Sequence, residues 1–446
     1  MVTGLSVRAA GREAGGQPAL VFGDRVWTWA ELAADVEHEI AELIGRGVCG
    51  GPEGRPLVAL DATAEPRTIA RLLALIEIGT PFVPLHPSLT ERERAHQLST
   101  VEPCLDLDRS TETPEVRREA GGPVMPGDPL AVLFTSGATG APRAVRLSRA
   151  SFRGAAAASA SRLGWNDRDR WLVCLPLAHV GGLSIVTRCL IARRPVVLAP
   201  GFEPASVAEA IGRHSVTLIS LVPTMLTRLL QLQPEWRPPP SLRVVLLGGG
   251  PVPDAVWQQA ERRGVPLRAT YGLTETCSQV ATGTAAAPRA LVPLDGISVR
   301  IVDGSIEVRA PYLGHDGYVR TGDLGDLGPD GVLEVFGRAD ELIITGGENV
   351  MPQGVESELE AHPRISRAVV FGHPDDEWGE VVAAALVADG PPLDHADLKR
   401  WCEERLAPFR RPRRVTWLER LPETPTGKVD RLAVIAATAG RLEALS

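Results

Sequence analysis

The residues best suited to chemistry form the run Thr135-Ser136-Gly137-Ala138-Thr139-Gly140, which follows the apolar stretch Leu130 to Phe134 and precedes Arg143. No bulky side chain stands in it. Such a loop brings several backbone N–H groups and three hydroxyls close to one anion, and the natural ligand is a polyphosphate. It is not a Walker A loop, because no Lys-Ser or Lys-Thr pair follows the glycines and no helix pattern opens there. Taken alone, the same string would serve equally as a hairpin turn.

Five further stretches bear on the choice. Leu246-Leu247-Gly248-Gly249-Gly250-Pro251 follows a strand, where glycines let a flat ligand lie against the backbone of an open α/β sheet. Thr270-Tyr271-Gly272-Leu273-Thr274-Glu275-Thr276 offers an aromatic face, a hydroxyl for a phosphate oxygen and a carboxylate for Mg²⁺, a hard ion that prefers oxygen ligands. Tyr318-Val319-Arg320-Thr321-Gly322-Asp323 and Phe336-Gly337-Arg338-Ala339-Asp340 each place a charge at what reads as a turn. Asp323 can accept bonds from both ribose hydroxyls, and Arg338 can donate to the same sugar or to a phosphate. Pro425-Thr426-Gly427-Lys428-Val429-Asp430-Arg431 sets a lysine on a Pro/Gly turn, from which it can reach another domain's cleft as a mobile point charge. Each of these, read singly, is also an ordinary strand end, solvated turn or exposed tail.

The elements that must position these residues alternate. Gly23-Asp24 separates two short β runs, Thr28 reads as the N-cap of an amphipathic helix to about Leu43, and strand Leu57–Leu60, helix Arg67–Ile78 and strand Pro81–Leu85 follow. The alternation resumes with helix Arg149–Arg162 and continues to strand Val244–Leu247. This is the pattern of a largely parallel, doubly wound α/β domain. From Gly283 short β pieces (297–302, 305–309, 317–321, 332–336) punctuated by Gly, Asp and Pro predict a small antiparallel subdomain. After Asp340 the chain turns mixed: helices 352–362 and 395–406, strands 365–371 and 381–387, and a β-like 414–418. The expected organisation is a large domain over 1–339, with the β subdomain at about 283–339, and a smaller α+β domain over 340–446.

At 446 residues the chain is too long for one core. A formal net charge of -8 without a long Lys/Arg run argues against a nucleic-acid surface, so an anionic ligand must be held by local groups. The six cysteines, Cys49, Cys104, Cys174, Cys189, Cys277 and Cys402, show no C-x-x-C pair and read as reduced thiols. No apolar run approaches the roughly 18 residues of a membrane span, and the N-terminal residues lack a leader's apolar segment, so the cytoplasm is the expected compartment.

In this order and spacing, from about Trp27 to Lys428, the set closely resembles the acyl-adenylate-forming superfamily of acyl-CoA and aryl-CoA synthetases, luciferases and peptide-synthetase adenylation domains. Within it, the compact length, Leu175-Pro176-Leu177-Ala178-His179-Val180-Gly181-Gly182-Leu183-Ser184 and Tyr271-Gly272-Leu273-Thr274-Glu275-Thr276-Cys277-Ser278-Gln279 are most similar to the o-succinylbenzoate-CoA ligases of menaquinone biosynthesis. The resemblance implies two half-reactions: a carboxylate attacks the α-phosphate of ATP to give acyl-AMP and pyrophosphate, then the CoA thiol displaces AMP. It implies that Thr135, Ser136, Gly137, Thr139, Gly140 and Arg143 wrap phosphates and that Gly248, Gly249 and Tyr271 frame adenine. Thr274 would touch the α-phosphate, Glu275 would ligate Mg²⁺, and Asp323 and Arg338 would hold the ribose. Lys428 would bridge the α-phosphate and the acyl carboxylate, and His179 would sit by the acyl pocket. Asp340 would be a hinge about which the small domain swings, exchanging Lys428 for Gly346-Gly347-Glu348-Asn349 at the CoA channel.

The sequence departs from the family pattern at Arg143, usually Lys, at Ala144, usually Gly, and at Pro288 and Leu291, also usually Gly. Arg143 still offers phosphate donors. Other aryl-CoA ligases of the benzoate type, a stand-alone domain that loads a carrier protein, and a silent nucleotide-binding scaffold remain alternatives, and self-association stays open.

Overall fold

A computed structural model describes residues 3–48, 56–103, 105–109, 125–136, 142–314, 316–424 and 428–445. Gly137, Thr139 and Gly140 of the phosphate loop, with Cys49 and Cys104, lie outside the described residues. The chain divides into two compact units, one of Met1–Gly249, Arg263–Ser298 and Val308–Val319, the other of Gly250–Arg262, Val299–Glu307 and Arg320–Ser446.

The first unit opens with α1 (Val7–Ala14), the hairpin β1 (Pro18–Phe22) and β2 (Arg25–Thr28), and α2 (Trp29–Gly45). Phe22 pairs with Arg25 across the Gly23-Asp24 turn. Thr28 caps α2 in a full capping box: its hydroxyl accepts from the Glu31 N–H while the Glu31 carboxylate accepts from the Thr28 N–H. Then come β3 (Val58–Asp61), α3 (Pro66–Ile78), β4 (Phe82–Leu85), α4 (Glu91–Val101), β5 (Leu105–Asp106), β6 (Pro129–Ser136) and β7 (Pro142–Ser148). After these follow α5 (Arg149–Leu163), β8 (Trp171–Val173), α6 (Val180–Ala192), β9 (Val196–Leu198), α7 (Pro204–Arg213), β10 (Leu218–Leu221), α8 (Pro223–Leu232) and β11 (Val244–Leu247). α9 (Asp254–Arg262), which falls in the second unit, precedes β12 (Leu267–Leu273) and β13 (Ser278–Thr282).

The doubly wound pattern is there, but its strands are shared between two sheets. One runs β13-β12-β11-β10-β8-β9-β1-β2 and the other β5-β3-β4-β6-β7. The interiors are parallel, and antiparallel hairpins close β1/β2, β6/β7 and β12/β13 at the edges. Parallel strands are covered on both faces, and the runs Val58–Leu60, Phe82–Leu85 and Val244–Leu247 are accordingly buried throughout.

The second unit holds a four-stranded sheet, β14 (Ser298–Val302), β15 (Ser305–Arg309), β16 (Val319–Leu327) and β17 (Leu333–Arg338), in that order. Here the sequence reading needs correction: Asp323, assigned to a turn, lies in the middle of β16 and is 7% exposed. Gly322 and Gly325 within the strand mimic turn punctuation, yet Gly325 is required because a Cβ there would stand 2.3 Å from the Glu334 carbonyl oxygen. The remainder comprises β18 (Ile343–Thr345), β19 (Glu348–Val350), α10 (Pro352–Glu360), β20 (Ile365–Asp375), β21 (Gly379–Ala388), α11 (His395–Arg405), β22 (Arg414–Trp417), α12 (Arg431–Thr438) and β23 (Glu443–Ala444). Val355, Leu359, Val370, Leu386 and Leu398 form its core. Among the described residues, no helix is long and apolar enough to cross a membrane.

Candidate active site

The phosphate-loop strands form the β6/β7 hairpin, with Thr135 opposite Arg143 and Ser136 opposite Pro142. Arg143 is exposed, and among the described residues no carboxylate pairs with it. An exposed cation paired in register with Thr135 suits an anion.

In the other sheet, β11 runs into Gly248 and Gly249 beside the end of β12. A Cβ at Gly248 would lie 2.7 Å from both Cγ2 and O of Thr270, so only glycine lets the two segments meet. Gly249 has φ +87°, the left-handed region that favours glycine. Thr270, next to Tyr271, is thereby set against Gly248.

The Thr274-Glu275 turn is held from within. Thr276 Oγ1 accepts from the Leu273 N–H at 3.1 Å, and the Cys277 N–H donates to the Thr274 carbonyl at 2.9 Å. Cys277 and Ser278 both have positive φ, +56° and +92°, a strain of the kind that concentrates at working sites. Neither the Thr274 hydroxyl nor the Glu275 carboxylate has a partner among the described residues. Among those residues no group of three or more His, Cys, Asp or Glu is placed to hold a metal.

His179 stands at the N-cap of α6, its ring 5.8 Å from that of His86. Burial lowers the His86 pKa, and its Nδ1 accepts from the Ser88 N–H at 3.1 Å, which leaves the proton on Nε2.

The sequence reading missed Arg188, the single charged residue of α6. It is 4% exposed, its Nη2 donates to Ser278 Oγ at 3.2 Å, and its guanidinium lies 5.5 Å from the Trp171 ring centre. Its Nε has no hydrogen-bond partner, and no carboxylate pairs with it among the described residues. Burial lowers its pKa to about 10. A lone Arg inside an otherwise apolar helix was the available signal.

In the second unit, Asp323 and Arg338 face each other across β16 and β17, and Arg338 Nη1 donates to Asp323 Oδ1 at 3.3 Å and to the Thr321 carbonyl at 3.2 Å. Its Nε reaches Asp340 Oδ1 at 3.1 Å. Gly346 and Gly347 form the tip of the β18/β19 hairpin with φ +57° and +86°, so the turn needs glycine-compatible backbone at both positions. Beside it, a Cβ on Gly346 would stand 2.6 Å from the Trp378 ring, over which Arg413 lies at 4.0 Å from the ring centre. Lys428 keeps solvent access, yet the protein around it lowers the pKa of its ammonium by desolvation, and no carboxylate pairs with it among the described residues. Thr424 clamps it: the Thr424 N–H donates to the Lys428 carbonyl at 2.7 Å and the Lys428 N–H to Thr424 Oγ1 at 3.2 Å.

Thr135, Arg143, His179, Gly248, Gly249, Tyr271, Thr274 and Glu275 thus belong to the first unit, and Asp323, Arg338, Gly347 and Lys428 to the second. The sequence pattern of the AMP-binding enzymes matches residues 7–121 and 106–319, and that of the AMP-binding enzyme C-terminal domain matches residues 354–428. The chain belongs to the AMP-binding enzyme family.

Relatives of this AMP-binding enzyme include the 2-succinylbenzoate–CoA ligases of Bacillus pumilus (strain SAFR-032), 34% identical over 93% of each chain, and of Bacillus licheniformis, 34% identical over 93% of this chain and 95% of that one. Among solved structures, the o-succinylbenzoate coenzyme A synthetase of Bacillus subtilis in complex with AMP superposes with a TM-score of 0.85 at 30% identity, over 96% of this chain and 97% of that one. The same synthetase in complex with ATP and magnesium ion gives 0.85 at 31%, over 96% and 98%. The AMP-binding enzyme therefore has the two-part α/β architecture expected from its sequence.

Proposed function

We propose that this AMP-binding enzyme is an ATP- and Mg²⁺-dependent o-succinylbenzoate-CoA ligase. In the first half-reaction a carboxylate oxygen of the acid attacks the α-phosphorus of ATP, the bond to the bridging oxygen of the β-phosphate breaks, and pyrophosphate leaves. In the second the CoA sulfur attacks the acyl carbon, its proton is lost, and the carbon–oxygen bond to AMP breaks. Both steps gather negative charge, so the site must supply cations where that charge develops. The Glu275 carboxylate, unpartnered among the described residues, would carry Mg²⁺ to the phosphates, the ammonium of Lys428, likewise unpaired there, would meet the α-phosphate and the acyl carboxylate, and Arg143 would meet the outer phosphates.

The observation that carries the identity of the acid is Arg188. A buried guanidinium without a carboxylate is costly, and o-succinylbenzoate carries a second carboxylate that would neutralise it, whereas benzoate would not. The relatives that align over nearly the whole chain are ligases for that acid. The Trp378 ring and Arg413, beside the Gly346-Gly347 turn, suit the nucleotide end of CoA and favour CoA over a carrier protein as acceptor.

In this reading residues 1–339 bind ATP and acid, residues 340–446 turn about Asp340, and the enzyme works in the cytoplasm. Among the described residues Cys174, Cys189, Cys277 and Cys402 are free thiols and all buried, which accords with a reducing compartment. Pyrophosphate release over a panel of aromatic acids, with and without CoA, tests it. Turnover with o-succinylbenzoate that needs CoA for thioester product is expected; activity with benzoate alone moves the function to a benzoate-type ligase.

A further inference from the structure

We propose that Arg431 is a positioning residue that ties the arm carrying Lys428 to the residue beside the pivot, so that the two turn as one piece. This rests on the ligase reading and on Asp340 as the pivot. Arg431 opens α12 three residues after Lys428 and uses its guanidinium on three different segments. Nε lies 3.3 Å from Glu341 Oε1, Nη2 donates to Glu356 Oε1 at 2.6 Å on α10, and Nη1 donates to the Val370 carbonyl at 2.9 Å on β20.

Its two carboxylates are themselves anchored. Glu341 accepts from Gln353 Nε2 at 2.9 Å, and Glu356, with its side chain 10% exposed, accepts from the Val370 N–H at 2.8 Å. Burial raises the Glu356 carboxyl pKa, and the charge of Arg431 opposes that shift.

Between Lys428 and Arg431 the backbone is closed. Thr424 brackets Lys428 as described, Val429 bridges to Glu423, and the Asp430 N–H donates to the Pro422 carbonyl at 3.0 Å. Asp430 also caps α12, its carboxylate accepting from the Ala433 N–H at 3.0 Å. A displacement of Arg431 is therefore passed on to Lys428 with little slack.

The neighbouring carboxylates Asp340 and Glu341 are held from opposite directions. Asp340 is bound by Arg338 at the end of β17, at 3.1 Å, and Glu341 by Arg431. Rotation about the backbone at 340 leaves the Arg338 pair on one side and carries the Glu341–Arg431–Glu356 cluster on the other. That division is what a swinging arm needs at its root.

The test compares Arg431→Met, Arg431→Lys, Glu341→Gln and the Arg431→Met/Glu341→Gln double variant in the full chain. Arg431→Met is expected to lower the adenylation rate about ten- to a hundred-fold at saturating ATP, the scale of a misplaced catalytic group, with thioester formation from supplied acyl-AMP within about three-fold of wild type. Arg431→Lys should recover part of the loss, Glu341→Gln should show part of it while leaving the buried Glu356 pair intact, and the double variant should be no worse than Arg431→Met. Hydrogen exchange at residues 421–424 and 428–430 should be faster in Arg431→Met and Glu341→Gln, a readout that needs no substrate. Unchanged exchange, equal loss in both half-reactions, or additive losses in the double variant would overturn the proposal. If the wild type forms no acyl-AMP with any acid, the ligase reading fails, and the exchange measurement still decides whether Arg431 holds the arm.

Discussion

Arg338 Nη1 sits 3.3 Å from Asp323 Oδ1 across β16 and β17, and the same guanidinium holds Asp340 through its Nε. Asp323 is buried beside it, so its carboxylate is oriented before any ligand arrives. If it accepts the ribose hydroxyls, Asp323→Ala raises the KM for ATP by about ten- to a hundred-fold, the scale of one or two charged hydrogen bonds. Pyrophosphate release against ATP concentration checks this. A KM within two-fold of wild type would remove Asp323 from the nucleotide site.

Gly272 is a forced glycine in β12, directly after Tyr271. A Cβ there would stand 1.8 Å from the Ser278 carbonyl oxygen, at the irregularity between Tyr271 and Gly272 in the β12/β13 pairing. Both partners are backbone, so neither can yield cheaply. Gly272→Ala is expected to cost about 1–3 kcal/mol, as overpacking does, and to weaken ATP binding along with stability. Thermal unfolding with and without ATP separates the two effects: the ATP-induced rise in midpoint should shrink more than the midpoint of the free protein falls.

Arg188 carries a charge in the interior that no carboxylate of the described residues meets. Replacing a buried, uncompensated charge by an apolar side chain of similar size is commonly neutral or stabilising. Arg188→Met should therefore keep or raise the unfolding midpoint while lowering kcat/KM for o-succinylbenzoate by about a hundred-fold or more, since breaking a buried ion pair costs about 3–5 kcal/mol. The KM for ATP should change little. A variant that loses stability and keeps its activity would make Arg188 a packing residue.

Glu360 gives the second unit a pH dependence. Burial raises its carboxyl to about 7 from an ordinary value of 4.5, and the Ala368 N–H and Arg367 offset only part of that. The folded form thus holds the proton more tightly than the unfolded chain does. Its contribution is full below the unfolded value and is lost as pH rises through about 7. Between about pH 4.5 and 7 the unit should lose stability, by an upper bound of about 3 kcal/mol for the whole shift. Denaturant unfolding of the wild type and of Glu360→Gln checks it, and the glutamine variant should show a flatter slope over that window.

The parts legible in the sequence are those governed by period and punctuation. The N-cap at Thr28, the β11 run into Gly248-Gly249 and the alternation of the expected helices and strands lie where local pattern places them. What escaped has a common cause. α4, Glu91–Val101, has little apolar stripe because it buries Arg94, whose Nη2 pairs with Asp106 at 2.6 Å and whose Nη1 pairs with Asp61. α1 carries Gly11 in its middle, which weakens its helical signal, and a Cβ there would press to 3.1 Å of Ala33 Cβ on α2. Asp323 reads as a turn residue because a glycine precedes it, and the strand becomes visible only once Arg338 stands opposite. The division of parallel strands into two sheets is likewise absent from local pattern, since a buried run such as Val58–Leu60 reads the same in either. Arg188 stood out as the one charge of α6, but its role needed tertiary context, because only its surroundings show that no carboxylate of the described residues pairs with it.

Lys428 gives the sharpest discrimination between the two half-reactions. Thr424 fixes its backbone from both sides, yet its ammonium, whose pKa desolvation lowers, is unpaired among the described residues, a charge supplied by position and not held for stability. Removing it should leave the fold intact. In adenylation a carboxylate must approach a triphosphate, and loss of one preorganised cation at that point costs about 3 to 4 kcal/mol, so Lys428→Ala should slow pyrophosphate release by roughly a hundred- to a thousand-fold. Thioester formation begins from acyl-AMP, in which the acyl carboxylate is already esterified and pyrophosphate has gone, so the ammonium has no comparable charge to offset. Supplied with o-succinylbenzoyl-AMP and CoA, the variant should therefore form thioester at close to the wild-type rate. Single-turnover measurement of each step decides it: equal losses in both would mean that Lys428 serves the whole cycle and that no exchange of faces about Asp340 is required.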